Sequence, residues 1–133
     1  MLNGCIMDRA KFLIVEDEPE VAETLGIKLE KFGYTIVGWA STAEEAIRKA
    51  GELHPDIVLM DIELSGKTDG IQAADAIREK YHIPVIYITA ICDMKTLERV
   101  GASVPYGYIL KPFKDDELHT VIEIALDIIA KKG

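Results

Sequence analysis

The sequence predicts a three-layer α/β/α sandwich around a five-stranded parallel sheet. Two observations carry this expectation. From residue 11 onward, short apolar β-rich runs alternate with segments of helical period, the pattern of successive βαβ units. Most of those runs are continuously apolar, as strands covered by helices on both faces must be. A chain of 133 residues that is 49% hydrophobic suffices for one domain and is too short for two. The domain is expected over 11–133, with 1–10 a flexible N-terminal extension that has neither a basic segment nor an apolar core of signal-peptide type.

The strands follow in order. FLIV at 12–15, TIVGW at 35–39, IVLM at 57–60, VIYI at 85–88 and YIL at 108–110 are the five runs. Between the first two, Val21, Leu25, Leu29 and Phe32 recur at helical spacing, and Gly33 is placed to end that helix. Ser41-Thr42-Ala43-Glu44 has the pattern of a capping box ahead of Ala46, Ile47 and Ala50. The third helix carries Ile71, Ala74, Ile77 and Tyr81 and is closed by Ile83-Pro84. A short fourth helix starts after Asp93 and runs to Val100. The fifth carries Leu118, Val121, Ile122, Ala125 and Ile129, with Ile124 and Ile128 in surplus of what one sheet contact requires.

Composition narrows the function. Lys+Arg 15 against Asp+Glu 23 gives a formal charge of −8, which argues against direct nucleic-acid binding, because that depends on clustered cations. The longest mostly apolar stretch, 85–92, is far below the roughly 20 residues of a membrane span. Two cysteines without C-x-x-C spacing indicate a reducing, cytoplasmic setting, and Cys92 is expected to be a packed thiol.

In an open α/β sheet, function lies beyond the carboxyl ends of the strands. There the sequence delivers Glu16, Asp17 and Glu18 after the first strand, Asp61 and then Glu63 after the third, Thr89-Ala90 after the fourth, and Lys111-Pro112-Phe113 after the fifth. Two carboxylates about 4 Å apart repel by about 4 kcal/mol at an effective dielectric of 20. Glu16, Asp17 and Asp61 therefore need a counter-charge. An all-oxygen set without nearby His or Cys suits Mg²⁺. A metal, an ammonium and a hydroxyl around one Asp oxygen are the equipment for phosphoryl transfer onto that Asp.

The order Glu16-Asp17, Asp61, Thr89, Lys111-Pro112-Phe113 resembles the receiver domain of two-component response regulators, over about residues 11–130. The resemblance implies the flavodoxin-like strand order 2-1-3-4-5, on which periodicity is silent. It implies that Asp61 accepts a phosphoryl group from a phosphohistidine of a sensor histidine kinase or phosphotransfer protein. Glu16, Asp17, Asp61 and the backbone carbonyl of Glu63 would hold Mg²⁺, and Thr89 and Lys111 would contact the phosphoryl oxygens. Tyr108 matches the family's aromatic switch position, paired with Thr89, and Lys111-Pro112 its cis peptide bond.

Two departures stand out. A proline-free Leu64-Ser65-Gly66-Lys67-Thr68 replaces the usual Met-Pro turn with one residue more, and Val104-Pro105-Tyr106-Gly107 replaces the acidic pair typical of the DNA-binding subfamily. Gly66-Lys67-Thr68 is no P-loop, since the first glycine of that motif would fall at Asp61. His54, His82 and His119 lack metal-ligand spacing and are expected at the surface or at helix ends. The chain stops at Lys131-Lys132-Gly133, so output is expected through a protein-binding surface of the fourth helix, fifth strand and fifth helix, in a stand-alone regulator or a fragment, monomeric or weakly dimeric on phosphorylation. The competing readings are a haloacid-dehalogenase-type Mg²⁺-dependent phosphohydrolase, faintly suggested by Asp61-Ile62-Glu63, and a phosphorylation-independent interaction domain.

Overall fold

The structure, a computed structural model, describes residues 9–132; residues 1–8 of the expected extension lie outside it. Strands β1 (Lys11–Val15), β2 (Thr35–Ala40), β3 (Ile57–Met60), β4 (Val85–Thr89) and β5 (Gly107–Leu110) alternate with helices α1 (Pro19–Lys31), α2 (Ala43–Leu53), α3 (Gly70–Tyr81), α4 (Met94–Ala102) and α5 (Asp115–Lys132). All neighbouring strands pair in parallel, in the order β2-β1-β3-β4-β5. The sandwich and its strand order are therefore as expected. Ala10, ahead of β1, is already buried, and its carbonyl accepts a hydrogen bond from the Thr35 amide.

Side-chain alternation divides the core into two layers. Leu13, Val15, Val58, Met60 and Tyr87 face the α2–α3 side, where Ala46, Ala50, Ala73 and Ile77 close over them. Phe12, Ile14, Leu59, Ile86 and Ile88 face the other side against Leu25, Leu29, Leu118 and Ile122. Successive residues of the central strands thus bury on opposite faces. That is why β1, β3 and β4 read as continuous apolar runs, while the edge strands β2 and β5 do not bury throughout.

The helix ends follow local chemistry, with one correction. The cap of α2 is Thr42, whose side chain accepts from the Glu45 amide at 3.1 Å, while Glu45 reaches back to the Ser41 amide at 2.8 Å. The expected Ser41/Glu44 pairing is therefore shifted by one residue, because the β2 ladder runs through Ala40 and delays helix entry. Asp69 and Gln72 make a full capping box for α3, a pattern missed in the sequence. Gly33 (φ 101°) ends α1 in the left-handed region, and His54 and His82 do the same for α2 and α3, which places both histidines at helix ends as expected. His119 stacks on Phe32 at 4.1 Å between ring centroids. Cys92 is exposed, correcting the expectation of a packed thiol: it follows β4 in the irregular stretch before α4, outside both core layers. Among the described residues, no helix is long and apolar enough to cross a membrane.

Candidate functional site

Glu16, Asp61 and Lys111 sit immediately past strand ends, whereas Thr89, expected after the fourth strand, is the last residue of β4 because its backbone still pairs with β5. The backbones of the first three also remain tied to neighbouring strands. The Glu16 amide donates to the Ala40 carbonyl at 3.0 Å, the Asp61 amide to Val15 at 2.9 Å and the Lys111 amide to Thr89 at 2.8 Å. Each side chain therefore leaves a rigid stem at the carboxyl edge of the sheet. The Lys111–Pro112 bond is cis, as the resemblance implied.

These stems bring two buried carboxylates onto one ammonium. Lys111 Nζ lies 3.1 Å from Glu16 Oε1 and 3.2 Å from Asp61 Oδ2, and Glu16 and Asp61 are only 1% and 5% exposed. Glu16 Oε2 also accepts from the Glu18 amide at 3.2 Å, and Asp61 Oδ1 from the Glu63 amide at 3.0 Å. Burial disfavours the Lys111 charge, but Asp61 and Glu16 outweigh it and hold the ammonium above its ordinary range. Burial, a hydrogen bond to Asp61 and the Asp61 charge push Glu16 up to about 7, against the Glu18 amide and Lys111. One ammonium does not neutralise this corner.

Among the described residues, Glu16, Asp17 and Glu18 gather acidic oxygens that all lie within 4.8 Å of one another. Glu18, placed at the rim by the sequence but outside the implied Mg²⁺ set, belongs to this group, whereas Asp61 and Glu63 of that set do not. Asp17 Oδ2 accepts from the Ser65 hydroxyl at 3.0 Å, and the Trp39 indole N–H donates to the Glu16 carbonyl at 2.7 Å. Ser65 and Trp39 were not expected here. They come from a loop and an edge strand far along the chain, and no local motif marks them.

Thr89 is fully buried. Its hydroxyl accepts from the Ile91 amide at 3.3 Å, and the half-buried Tyr108 hydroxyl donates to the Ile91 carbonyl. Thr89 and Tyr108 therefore grip the same residue. Gly70, the first residue of α3, packs so tightly on the site that an added Cβ would lie 2.1 Å from the Asp61 carbonyl oxygen. Arg99 of α4 pairs with the α3 cap residue Asp69 at 2.8 Å. Although burial opposes the Asp69 charge, Arg99 and the Gln72 amide hold it below the usual carboxylate range.

The raised Glu16 makes stability pH-dependent. Between its ordinary value of 4.5 and about 7, the folded chain holds a proton here that the unfolded chain has lost. This group's contribution should therefore fall as pH rises through that window and level off above it, by a total on the order of 3 kcal/mol. Urea unfolding in metal-free buffer from pH 4.5 to 8, compared with Glu16→Gln, checks this; parallel curves for the two proteins would refute it.

A parallel sheet in the order β2-β1-β3-β4-β5, with acids, a hydroxyl and an amine gathered on its carboxyl rim, defines a class of doubly wound α/β protein. The family model described as response regulator receiver domain matches residues 12–123, and the chain belongs to this family. It is 38% identical over 117 residues to the transcriptional regulatory protein PdtaR of Mycobacterium tuberculosis, covering 87% of this chain and 56% of that protein. The chain spans about half the length of the curated relatives it matches. Among solved structures, it is similar to the signal receiver domain of a modulated diguanylate cyclase from Desulfovibrio desulfuricans, with TM-score 0.87, 39% identity and 94% and 99% of the two chains covered. It is also similar to a chain of the CheX-CheY-BeF3-Mg²⁺ complex from Borrelia burgdorferi, with TM-score 0.78, 26% identity and 85% and 86% covered. Family membership leaves the haloacid-dehalogenase-type alternative without support.

Proposed function

We propose that residues 11–133 form a phosphorylation-dependent signalling switch in which Asp61 accepts a phosphoryl group from a phosphohistidine of a sensor kinase or phosphotransfer protein. The observation that carries this reading is the buried Glu16–Lys111–Asp61 bridge at the sheet's carboxyl edge. A carboxylate oxygen of Asp61 forms a bond to phosphorus as the donor's P–N bond breaks, and the imidazole leaves with the bonding electron pair and takes up a proton. Lys111 exchanges its carboxylate partners for phosphoryl oxygens, and the Thr89 hydroxyl donates to another. Hydrolysis by water restores Asp61.

The donor set fits Mg²⁺: every side-chain group is a carboxylate, the oxygens of Glu16, Asp17 and Glu18 converge, Glu16 shares Lys111 with Asp61, and the acids outnumber the one ammonium. Glu16, Asp17, Asp61 and the Glu63 backbone carbonyl would hold it, with Glu18 adjoining. When bound, it supplies positive charge for the phosphoryl oxygens in the transition state. The similar Borrelia complex contains BeF3 and Mg²⁺. Incubation with acetyl phosphate and Mg²⁺ should give a single phosphoryl mass gain, absent when EDTA is added. Fold without labelling would instead favour the phosphorylation-independent interaction domain.

Output belongs to α4, β5 and α5, which expose Met94 and Leu97, Leu110, and Ile124 and Ile128, a set suited to a protein partner. The reading entails a cytoplasmic setting, no direct nucleic-acid contact, and a monomer or weak phosphorylation-dependent dimer. Because Thr89 and Tyr108 hold opposite ends of Ile91, drawing the Thr89 hydroxyl to a phosphoryl oxygen frees the Ile91 amide and loosens the seat of the Tyr108 ring beside α4. Such coupling amounts to about 1–3 kcal/mol. Thr89→Ala and Tyr108→Phe should both still label Asp61, yet reduce the amide shifts that beryllofluoride induces in α4. Wild-type shifts in both variants would exclude this route.

A further inference from the structure

We propose that Ser65 is a positioning residue for Asp17 and thereby sets the affinity of the acidic cluster for a divalent cation. The inference rests on the reading that the cluster holds such a cation, and it concerns the proline-free loop in which this chain departs from the usual receiver pattern. Three features put the Ser65 hydroxyl where it is. Leu64 is half-buried and packs against the α2–α3 core layer, anchoring the loop. Gly66 turns the chain in the left-handed region at φ 104°, with open space around its α-carbon. Between them, Ser65 Oγ donates to Asp17 Oδ2 at 3.0 Å, across 48 residues of sequence.

Asp17 otherwise has little to hold it. It follows β1 in an irregular stretch and is partly exposed, and among the described residues no second hydrogen bond fixes its carboxylate. A carboxylate free to rotate must be ordered whenever it takes a cation. One already held by a donor on one oxygen can offer the other with less freedom left to lose, which is the general role of groups that bond to metal ligands. The neighbouring acid Glu16 is fixed by Lys111 and the Glu18 amide. Ser65 supplies the corresponding restraint for Asp17, from the loop that follows β3.

Because the hydroxyl is exposed, its loss should cost the fold almost nothing and the cation site much more. Trp39, the one tryptophan of the chain, bonds to the Glu16 carbonyl and is a built-in fluorescent probe; calorimetry gives an independent readout. Mg²⁺ alone is titrated into wild type, Ser65→Ala, Ser65→Thr and Gly66→Ala. Ser65→Ala should weaken binding roughly tenfold, the low end for loss of such a partner, with the unfolding midpoint in EDTA unchanged. Ser65→Thr should restore binding, and Gly66→Ala, which strains the turn, should weaken it. Wild-type affinity in Ser65→Ala, or a loss that threonine does not rescue, overturns the proposal while leaving the cation site standing. Absence of Mg²⁺ binding by the wild type overturns both, and is distinguished by that.

Discussion

Asp61→Asn should take up no phosphoryl group from acetyl phosphate and Mg²⁺ under conditions that label the wild type. Asparagine is nearly isosteric and keeps an oxygen for the Glu63 amide, which donates to Asp61 Oδ1 at 3.0 Å, so the loss should occur in a folded chain. The substitution has a second expected signature. Asp61 raises Glu16 through a hydrogen bond and through its charge, and with that charge gone, Lys111 neutralises Glu16 alone. Glu16 should then ionise closer to its ordinary value of 4.5, and the stability lost between that pH and about 7 should shrink. Intact mass measures the first effect and urea unfolding at two pH values the second. Labelling of Asp61→Asn to the wild-type extent would move the acceptor elsewhere.

The largest expected loss of stability lies beside the acceptor, at Gly70. A methyl group there would stand 2.1 Å from the Asp61 carbonyl oxygen and 2.8 Å from the Ile62 Cα. Both are backbone atoms and cannot swing aside. The Gly70 amide also donates to the Ile62 carbonyl at 2.9 Å, so α3 cannot retreat without breaking that bond. Overpacking usually costs about 1–3 kcal/mol, and with backbone on both sides Gly70→Ala belongs at the upper end. For a chain of this size that lowers the melting temperature by on the order of 10 °C. Asp61 would be displaced by the same movement, so labelling should slow as well. Thermal unfolding within about 0.5 kcal/mol of wild type, the usual range for innocuous surface changes, would contradict the close approach.

The third strand shows how much of this was legible in the sequence. IVLM at 57–60 is the observed β3 to the residue, because a strand buried on both faces is apolar at every position and the acid that follows marks its end. The same reasoning put Glu16, Thr89 and Lys111 at the rim, with β1, β2, β4 and β5 each differing from expectation by one terminal residue. The strand order came from the family resemblance, since periodicity does not say which strands are neighbours. Ile124 and Ile128 were singled out as surplus to one sheet contact, and they are 55% and 40% exposed. The α2 cap differs from expectation because Ser41 and Thr42 are both good caps, and the length of the β2 ladder chooses between them.

The alternation of elements, the two buried faces of the sheet and the reactive side chains at the strand ends were thus written in the sequence alone. They follow from local periodicity and burial, which a chain carries in the spacing of its own residues. It took the folded chain to establish that Lys111 bridges Glu16 and Asp61, that Trp39 and Ser65 brace the acidic cluster, that Arg99 ties α4 to the cap of α3, and that Thr89 and Tyr108 share Ile91. Most of these contacts join residues from different strands or loops, one of them between residues 95 positions apart. Such pairings depend on which strand lies beside which and on where each loop is anchored, and no residue's immediate neighbours encode that.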